Sequence, residues 1–158
     1  MKLGTEQATT SGTTVDFTSI PAGTTMITIS IVGWSGNGTG SPIIQLGDAG
    51  GIETTGYVGG VGNVFGANQA SRDAFPGAGF VFSTDSTAAE VHQGQMILTL
   101  EDSTNFTWSG FGMWWRPTVA TINWCIGNKT LTQELTQIRF TTAAGDTFNA
   151  GAINIAYF

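Results

Sequence analysis

The stretch MITISIVGW, residues 26–34, decides the class of fold. Its isoleucines, Ile27, Ile29 and Ile31, occupy alternate positions, with a threonine and a serine between them. A period of two is typical of a β-strand that has one face in a hydrophobic core. The same alternation, continued to the end of the stretch, places Trp34 on the side opposite the isoleucines.

Other segments of the chain repeat this alternation, and turns rich in glycine, asparagine, aspartate, serine and proline separate them. The segments are TTVDFTS, SPIIQLGD, GFVFS, QMILTLE, TINWCIG, LTQIRFTT and AINIAYF. The pattern predicts about ten strands and an all-β fold, a β-sandwich of the jelly-roll type. A length of 158 residues fits one domain, residues 1–158.

One segment interrupts the pattern for longer than a hairpin requires. It is GGVGNVFGANQASRDAFPGAG, residues 59–79, and we expect it to form a long surface loop. The loop would carry Val64, Phe65, Arg72 and Phe75. Its apolar members would need cover from the domain or from a neighbouring chain.

The chain contains few charged residues. Aspartate, glutamate, lysine and arginine make up 10% of the sequence, against about 25% in ordinary soluble domains. Such a surface is either polar and uncharged or covered by neighbouring subunits. The net charge of −6 and the five scattered basic residues argue against nucleic acid as a partner. No uninterrupted apolar run approaches the ~18 residues of a membrane helix, so we expect no membrane insertion.

Two carboxylates flank a glycine run in QLGDAGGIETTGY, residues 45–57. The run predicts a turn, in which Asp48 binds its own backbone, Gly50 and Gly51 take positive φ, and Glu53 begins the next strand. The alternatives are a metal site and a pair of catalytic acids. A calcium loop needs more ligands than these two carboxylates supply, and a glycosidase pair needs a sugar cleft between them. We therefore predict no metal and no cofactor.

Neither the single histidine nor the single cysteine lies in a catalytic motif. We expect His92 to be a surface or sheet-edge residue, because no G-x-S-x-G elbow accompanies it. Cys125 lies in an alternating run and is interpreted as a small core residue rather than a nucleophile. The sequence thus contains no candidate catalytic residue, and we predict that the protein is not an enzyme.

The stretch NFTWSGFGMWWRP, residues 105–117, is apolar on both sides. As a strand it would project Phe106, Trp108 and Trp114 to one side, and phenylalanine, methionine and tryptophan to the other. A sandwich core covers only one face of a strand, so a second chain is the simplest cover for the other. The candidates for contact with a partner or a glycan are Trp34, Phe111, Met113, Trp114 and Trp115.

Two other interpretations of this stretch remain open. A β-bulge near Gly110 or Gly112 would reset the alternation and turn all the aromatic side chains inward. Alternatively, the exposed indoles would form a platform for sugar rings, with neighbouring polar side chains supplying hydrogen bonds.

Four stretches of the chain resemble a widespread family of tailed-bacteriophage proteins, which occur as small separate chains or as the C-terminal part of tail-fibre-like proteins. The stretches are LGTEQATTSGTTVDFTSIPAG at 3–23, QLGDAGGIETTGY at 45–57, TLEDSTNFTW at 99–108 and GNKTLTQELTQIRFTTAAGDTFNAGAINIAY at 127–157. The segment GMWWRPTVATINWC lies outside the resemblance, so the expected interface depends on the alternation of residues alone.

The resemblance implies a virion protein, made in the host cytoplasm and assembled into a phage particle. We expect a homotrimer that binds the major capsid protein or tail proteins. A capsid decoration protein on the head surface fits a chain of this length best. The alternative is a tail-fibre or tail-tip module that attaches the particle to host surface glycan.

Overall fold

The structure is a computed structural model that describes residues 1–65, 77–84 and 86–158, together with the backbone of residues 69–74. Within these residues the chain forms fourteen strands and one short 3-10 turn. The strands are β1 Lys2–Leu3, β2 Gln7–Ala8, β3 Thr14–Phe17, β4 Met26–Gly36, β5 Pro42–Asp48, β6 Gly51–Ile52, β7 Tyr57–Phe65, β8 Gln69–Ala74, β9 Phe80–Val81, β10 His92–Asp102, β11 Thr107–Arg116, β12 Thr121–Thr130, β13 Gln137–Thr142 and β14 Phe148–Tyr157. The 3-10 turn, Pro117–Val119, joins β11 to β12.

The strands form two antiparallel sheets. The large sheet has the order β1-β14-β4-β10-β11-β12-β7-β8, with β2 also paired to β14, and the small sheet has the order β3-β13-β5-β6, with β9 also paired to β5. The predicted all-β sandwich is confirmed. The jelly-roll connectivity is not established, because the consecutive strands β10, β11 and β12 lie side by side in one sheet.

The core lies between the two sheets and is apolar and aromatic. The alternating isoleucines of β4 point into it as predicted, and each is at most 2% exposed. The small sheet contributes Ile44, Leu46, Ile138 and Phe140. Around Phe140 the rings of Trp34, Phe82 and Phe148 pack at centroid distances of 5.2 to 5.8 Å.

The expected long loop at 59–79 is wrong over most of its length, because β7 and β8 pair as a hairpin. Phe65 lies opposite Gln69, and Gly60 opposite Ala74. The glycines of β7 hid the alternation, since a strand whose outward positions are glycine has no pattern of apolar and polar side chains. Val64 and Phe65 are exposed, as expected. Phe75 and the side chain of Arg72 lie outside the described residues.

The expected exposure of Trp34 is also wrong. One extra residue in β4 shifts its register against both neighbours, so that Ile31 pairs with Gly94 while Trp34 pairs with His92. Gly33 permits this bulge with a φ of +65°, a conformation that side chains with a Cβ rarely adopt. Beyond the bulge the alternation is reversed, and Trp34 turns into the core at 2% exposure.

Strand β11, in contrast, keeps its register along its whole length against β12. The alternative of an inward bulge near Gly110 or Gly112 is therefore wrong. Both glycines point into the core, where they make room for larger neighbours. A Cβ at residue 112 would lie 1.9 Å from the indole of Trp114, and one at residue 110 would lie 2.7 Å from the methyl carbon of Met96.

The two ends of the described chain meet at one edge of the large sheet. Strand β1 pairs with β14, and Lys2 lies opposite Tyr157.

Among the described residues, no helix has the length and apolar character needed to cross a membrane.

Candidate functional site

An apolar surface lies on the outer face of the large sheet, where β10, β11 and β12 run side by side. Its members are 37 to 60% exposed. They are Ile97, Phe111, Met113, Trp115, Ile122 and Ile126. We call this set the apolar band.

The pairing of the strands arranges the band in rows. Trp115 lies opposite Ile122, and Phe111 lies opposite Ile126. Between these rows Met113 lies opposite Trp124, whose half-buried indole lies across β7. A Cβ at Gly62 would be only 2.6 Å from a ring carbon of Trp124, so the glycine is what lets the ring lie flat on the sheet.

A shallow hollow of about 370 Å³ opens at one end of the band. Its walls include Ile97, Phe111 and Trp115, and the side chains of Gln93 and Gln95 supply its polar groups. The hollow therefore combines aromatic surface with two amides, and it contains no charged side chain.

The outer face of the same sheet is mostly polar on the other side of β10. There β4 presents Thr28, Ser30 and the exposed Val32, and the amide of Gln95 donates to the hydroxyl of Ser30 at 3.4 Å. The polar positions Thr99, Ser109 and Asn128 lie beyond Ile97, Phe111 and Ile126 on the three band strands and limit the band at that end. Polar residues thus limit the band at this end, whereas on the β7 side it continues into the exposed Val64, which lies opposite Ile122.

Three of the five predicted contact residues are exposed on this face. Phe111, Met113 and Trp115 point outward, as the alternation of β11 predicts. Trp114 does not. Its indole is 1% exposed and stacks on Phe82 at a centroid distance of 3.9 Å, and Trp34 is buried as described above.

Half of the band was not predicted from the sequence. Ile122 and Ile126 alternate with Asn123 and Cys125, and apolar residues are ordinarily assigned to the core. Here the isoleucines point outward, while Asn123 and Cys125 are completely buried. One signal could have located the band. Large apolar residues occur at 97, 111–115 and 122–126, on three strands that follow one another in sequence.

The turn predicted at Asp48 is confirmed. Its Oδ1 accepts from the Gly50 amide at 2.7 Å, and Gly51 has a φ of +126°. Gly50 has no positive φ, and Glu53 follows the short strand β6 rather than beginning a strand, so these two details are wrong.

Both carboxylates of this turn bind the loop between β12 and β13. Asp48 Oδ2 accepts from the Thr132 hydroxyl at 2.6 Å, and Glu53 Oε1 accepts from the Thr132 amide at 2.8 Å. Lys129 forms an ion pair with Glu53. The hydrogen bond from Thr132 is the main reason why the pKa of Asp48 lies below its ordinary value. These carboxylates therefore link the turn after β5 to the end of β12 and the loop that follows it.

The expectation for His92 is wrong, because the residue is buried. It begins β10 at 1% exposure, and its ring packs against Trp34 at a centroid distance of 5.1 Å. Its Nε2 lies 3.9 Å from Glu90, which in turn forms an ion pair with Arg116. Sequence reasoning did not identify this buried polar cluster.

Cys125 is completely buried, in agreement with its interpretation as a core residue. Burial raises the pKa of its thiol to about 12, so the thiolate required of a nucleophile is not populated near neutral pH. In the described part of the chain, no group of three or more histidine, cysteine, aspartate or glutamate side chains is placed to hold a metal ion.

Comparison with family models, with curated proteins and with solved structures found no match to this chain.

Proposed function

We propose that this chain is a non-enzymatic structural protein of a tailed-bacteriophage virion, which decorates the capsid and associates with itself through the apolar band. The observation that carries the proposal is the band, a continuous and uncharged area of aliphatic and aromatic side chains on the outer face of the large sheet. The resemblance of the four stretches to phage virion proteins supports the particle as its location.

The size of the band indicates that its binding partner is a protein. With about 200 Å² for a large side chain, the six residues expose on the order of 600 Å². This matches the upper end of patches on monomeric proteins, about 300–600 Å². A standard protein interface buries about 800 Å² on each partner. The band and its polar rim are therefore large enough for one such interface.

The absence of charge supports a second copy of the chain as the partner. Two copies each carry a net charge of −6 and repel one another wherever their charged surfaces meet. The band contains no charged residue, so copies that meet there bring no like charges into contact. The expected assembly is a homotrimer in which the three bands lie around a common axis, away from water.

Sedimentation velocity with a matched pair of variants tests the interface. Ile126→Lys introduces a charge in the band, and Leu3→Lys introduces the same charge at the distant β1 edge, where Leu3 is 67% exposed. We expect the wild type and Leu3→Lys to sediment as trimers, and Ile126→Lys to sediment as a monomer with an unchanged circular dichroism spectrum. Trimers that persist in Ile126→Lys would rule out the band as the interface.

The location in the particle needs a separate experiment. An image reconstruction of phage particles, compared with particles that lack this chain, would show added density on the head if the protein is a decoration protein. Density confined to the tail would reject decoration and favour the alternative.

The second candidate function is recognition of host surface glycan by a tail-fibre or tail-tip module. The hollow beside Trp115 favours it, because sugar sites combine an aromatic face with amide hydrogen-bonding groups such as those of Gln93 and Gln95. A glycan array that gives a signal for the wild type but none for Trp115→Ala would support recognition. An array without any signal would reject it.

A further inference from the structure

The hollow in the apolar band has room for side chains of another molecule. Its volume is about 370 Å³, whereas an apolar cavity of about 150 Å³ already holds a benzene ring. None of its described lining residues is charged, and its polar side chains are the amides of Gln93 and Gln95. The hollow is therefore suited to a large apolar group.

Burial of the band against a second copy leaves this hollow empty unless the partner fills it. Protein interfaces pack as densely as protein interiors, and the walls of an empty hollow lose their dispersion contacts. Water is a poor filler here, because an ordered water molecule needs about two to four polar partners and most of the wall is apolar. A well-packed interface therefore requires a side chain of the neighbouring copy in the hollow.

Ile126 is the member of the band that is free to fill the hollow of another copy. The other five members line the hollow of their own chain, and Ile126 does not. It is also the most exposed of the six, at 60%. On its β7 side it lies opposite Gly60, which has no side chain, so the isoleucine stands clear of the sheet there.

Two exposed valines of β7 fit this role less well. Val64 lies opposite Ile122, which already lines the hollow. Val58 lies opposite Asn128, in the polar row that limits the band. Neither valine therefore projects from the band apart from the hollow, as Ile126 does.

We propose that Ile126 of each copy occupies the hollow of the next copy around the trimer. The proposal rests on the self-association proposed above and adds the residue that enters and the cavity that receives it. Ile126 and the hollow are different surfaces of one chain, and contact between different surfaces is the heterologous contact that a closed ring of three requires. A filled hollow has no space for a sugar, so this contact and the glycan alternative exclude each other in the assembled protein.

Sedimentation velocity of two matched glutamate variants tests the contact. Gln95 lies on the wall of the hollow, and Thr99 lies in the polar row outside it. Both are exposed residues of β10, two positions on either side of Ile97, which shares a row with Ile126. Within one chain the two positions are therefore about equally far from residue 126, and each variant adds the same charge.

We expect the variant in the hollow to affect assembly and its control to have no effect. Gln95→Glu should weaken trimer formation by about a hundredfold, because it buries an unpaired carboxylate against Ile126 of the next copy. Thr99→Glu should sediment as the wild-type trimer.

A second charge should reverse the defect only from within the hollow. Ile126→Lys alone should sediment as a monomer. The double variant Ile126→Lys/Gln95→Glu should regain the trimer, because the new ammonium group of one copy meets the new carboxylate of the next. The double variant Ile126→Lys/Thr99→Glu should remain a monomer.

The outcomes separate this contact from self-association in general. A wild type that sediments as a monomer would reject self-association itself. If the wild type is a trimer, the contact is wrong when Gln95→Glu leaves the trimer intact, or when Ile126→Lys/Gln95→Glu stays monomeric. Recovery of the trimer by both glutamates would show a general effect of net charge and would also reject the contact. In these last three cases the self-association remains.

Discussion

The two faces of strand β11 carry similar side chains and have opposite environments. On the inner face, Trp108 and Trp114 are at most 2% exposed, and on the outer face Phe111, Met113 and Trp115 are 37 to 51% exposed. The backbone is regular and its register is unbroken, so the local sequence does not create this difference. The small sheet covers one side of β11, and no residue that the structure describes covers the other.

Large apolar side chains thus serve two purposes along one strand. The inner face packs by complementary sizes, because Gly110 and Gly112 leave the space that the rings occupy. The outer face has large residues at consecutive outward positions, without glycines to accommodate partners from the same chain. A face of this kind is suited to burial against another molecule.

The largest expected effect comes from truncating one tryptophan on each face. Trp114→Ala removes a buried ring stacked on Phe82, and the cavity should lower the free energy of unfolding by about 3–5 kcal/mol. Trp115→Ala removes a partly exposed ring and should cost the isolated monomer about 1 kcal/mol or less. Urea unfolding at a concentration low enough to keep the protein monomeric measures both values. Equal losses for the two variants would mean that the faces do not differ as described.

A smaller effect should follow from filling one of the inner gaps. A methyl group at residue 112 would overlap the indole of Trp114, so Gly112→Ala should destabilise the fold by about 1–3 kcal/mol. Ser109→Ala, on the outer face of the same strand, is the matched control and should change stability by no more than about 0.5 kcal/mol. Thermal unfolding of the two variants gives the comparison. A neutral Gly112→Ala would show that the inner face is loosely packed.

The smallest effect is optical and requires no loss of stability. Of the five tryptophans, Trp34, Trp108 and Trp114 are buried, Trp124 is half-buried, and Trp115 is the most exposed. Acrylamide should therefore quench a minor fraction of the fluorescence, and Trp115→Phe should remove most of that fraction. If the band is an interface, quenching of the wild type should fall as protein concentration rises. Quenching that does not depend on concentration would argue against self-association.

The sequence predicted the parts of the fold in which alternation continues without interruption. It placed the isoleucines of β4 in the core, and it placed Phe111, Met113 and Trp115 together on the outer face. It failed for Trp34 because one added residue at Gly33 reverses the alternation, and a bulge has no strong local signal. The same stretch of β4 thus yields a correct prediction before residue 32 and a wrong one after it.

Other failures have a different cause, which is distance along the chain. Glu90 and Arg116 are 26 positions apart and belong to different segments, so no local pattern indicates that they form an ion pair. Asn123 looks like an outward residue because Ile122 and Ile126 lie on the other face of the strand, but it is completely buried. Polar residues inside and isoleucines outside reverse the usual assignment, and only the three-dimensional arrangement shows which face is covered.

The pairing of β1 with β14 has a practical consequence. Because Lys2 and Tyr157 are direct neighbours, a short linker from Phe158 back to Met1 would close the backbone into a ring. New ends could then be opened at the exposed 3-10 turn Pro117–Val119, at the other end of the strands, giving a circular permutant with the same sheets. Such a permutant would move an affinity tag from the β1 edge to the opposite end of the molecule, so that the protein could be immobilised in two defined orientations.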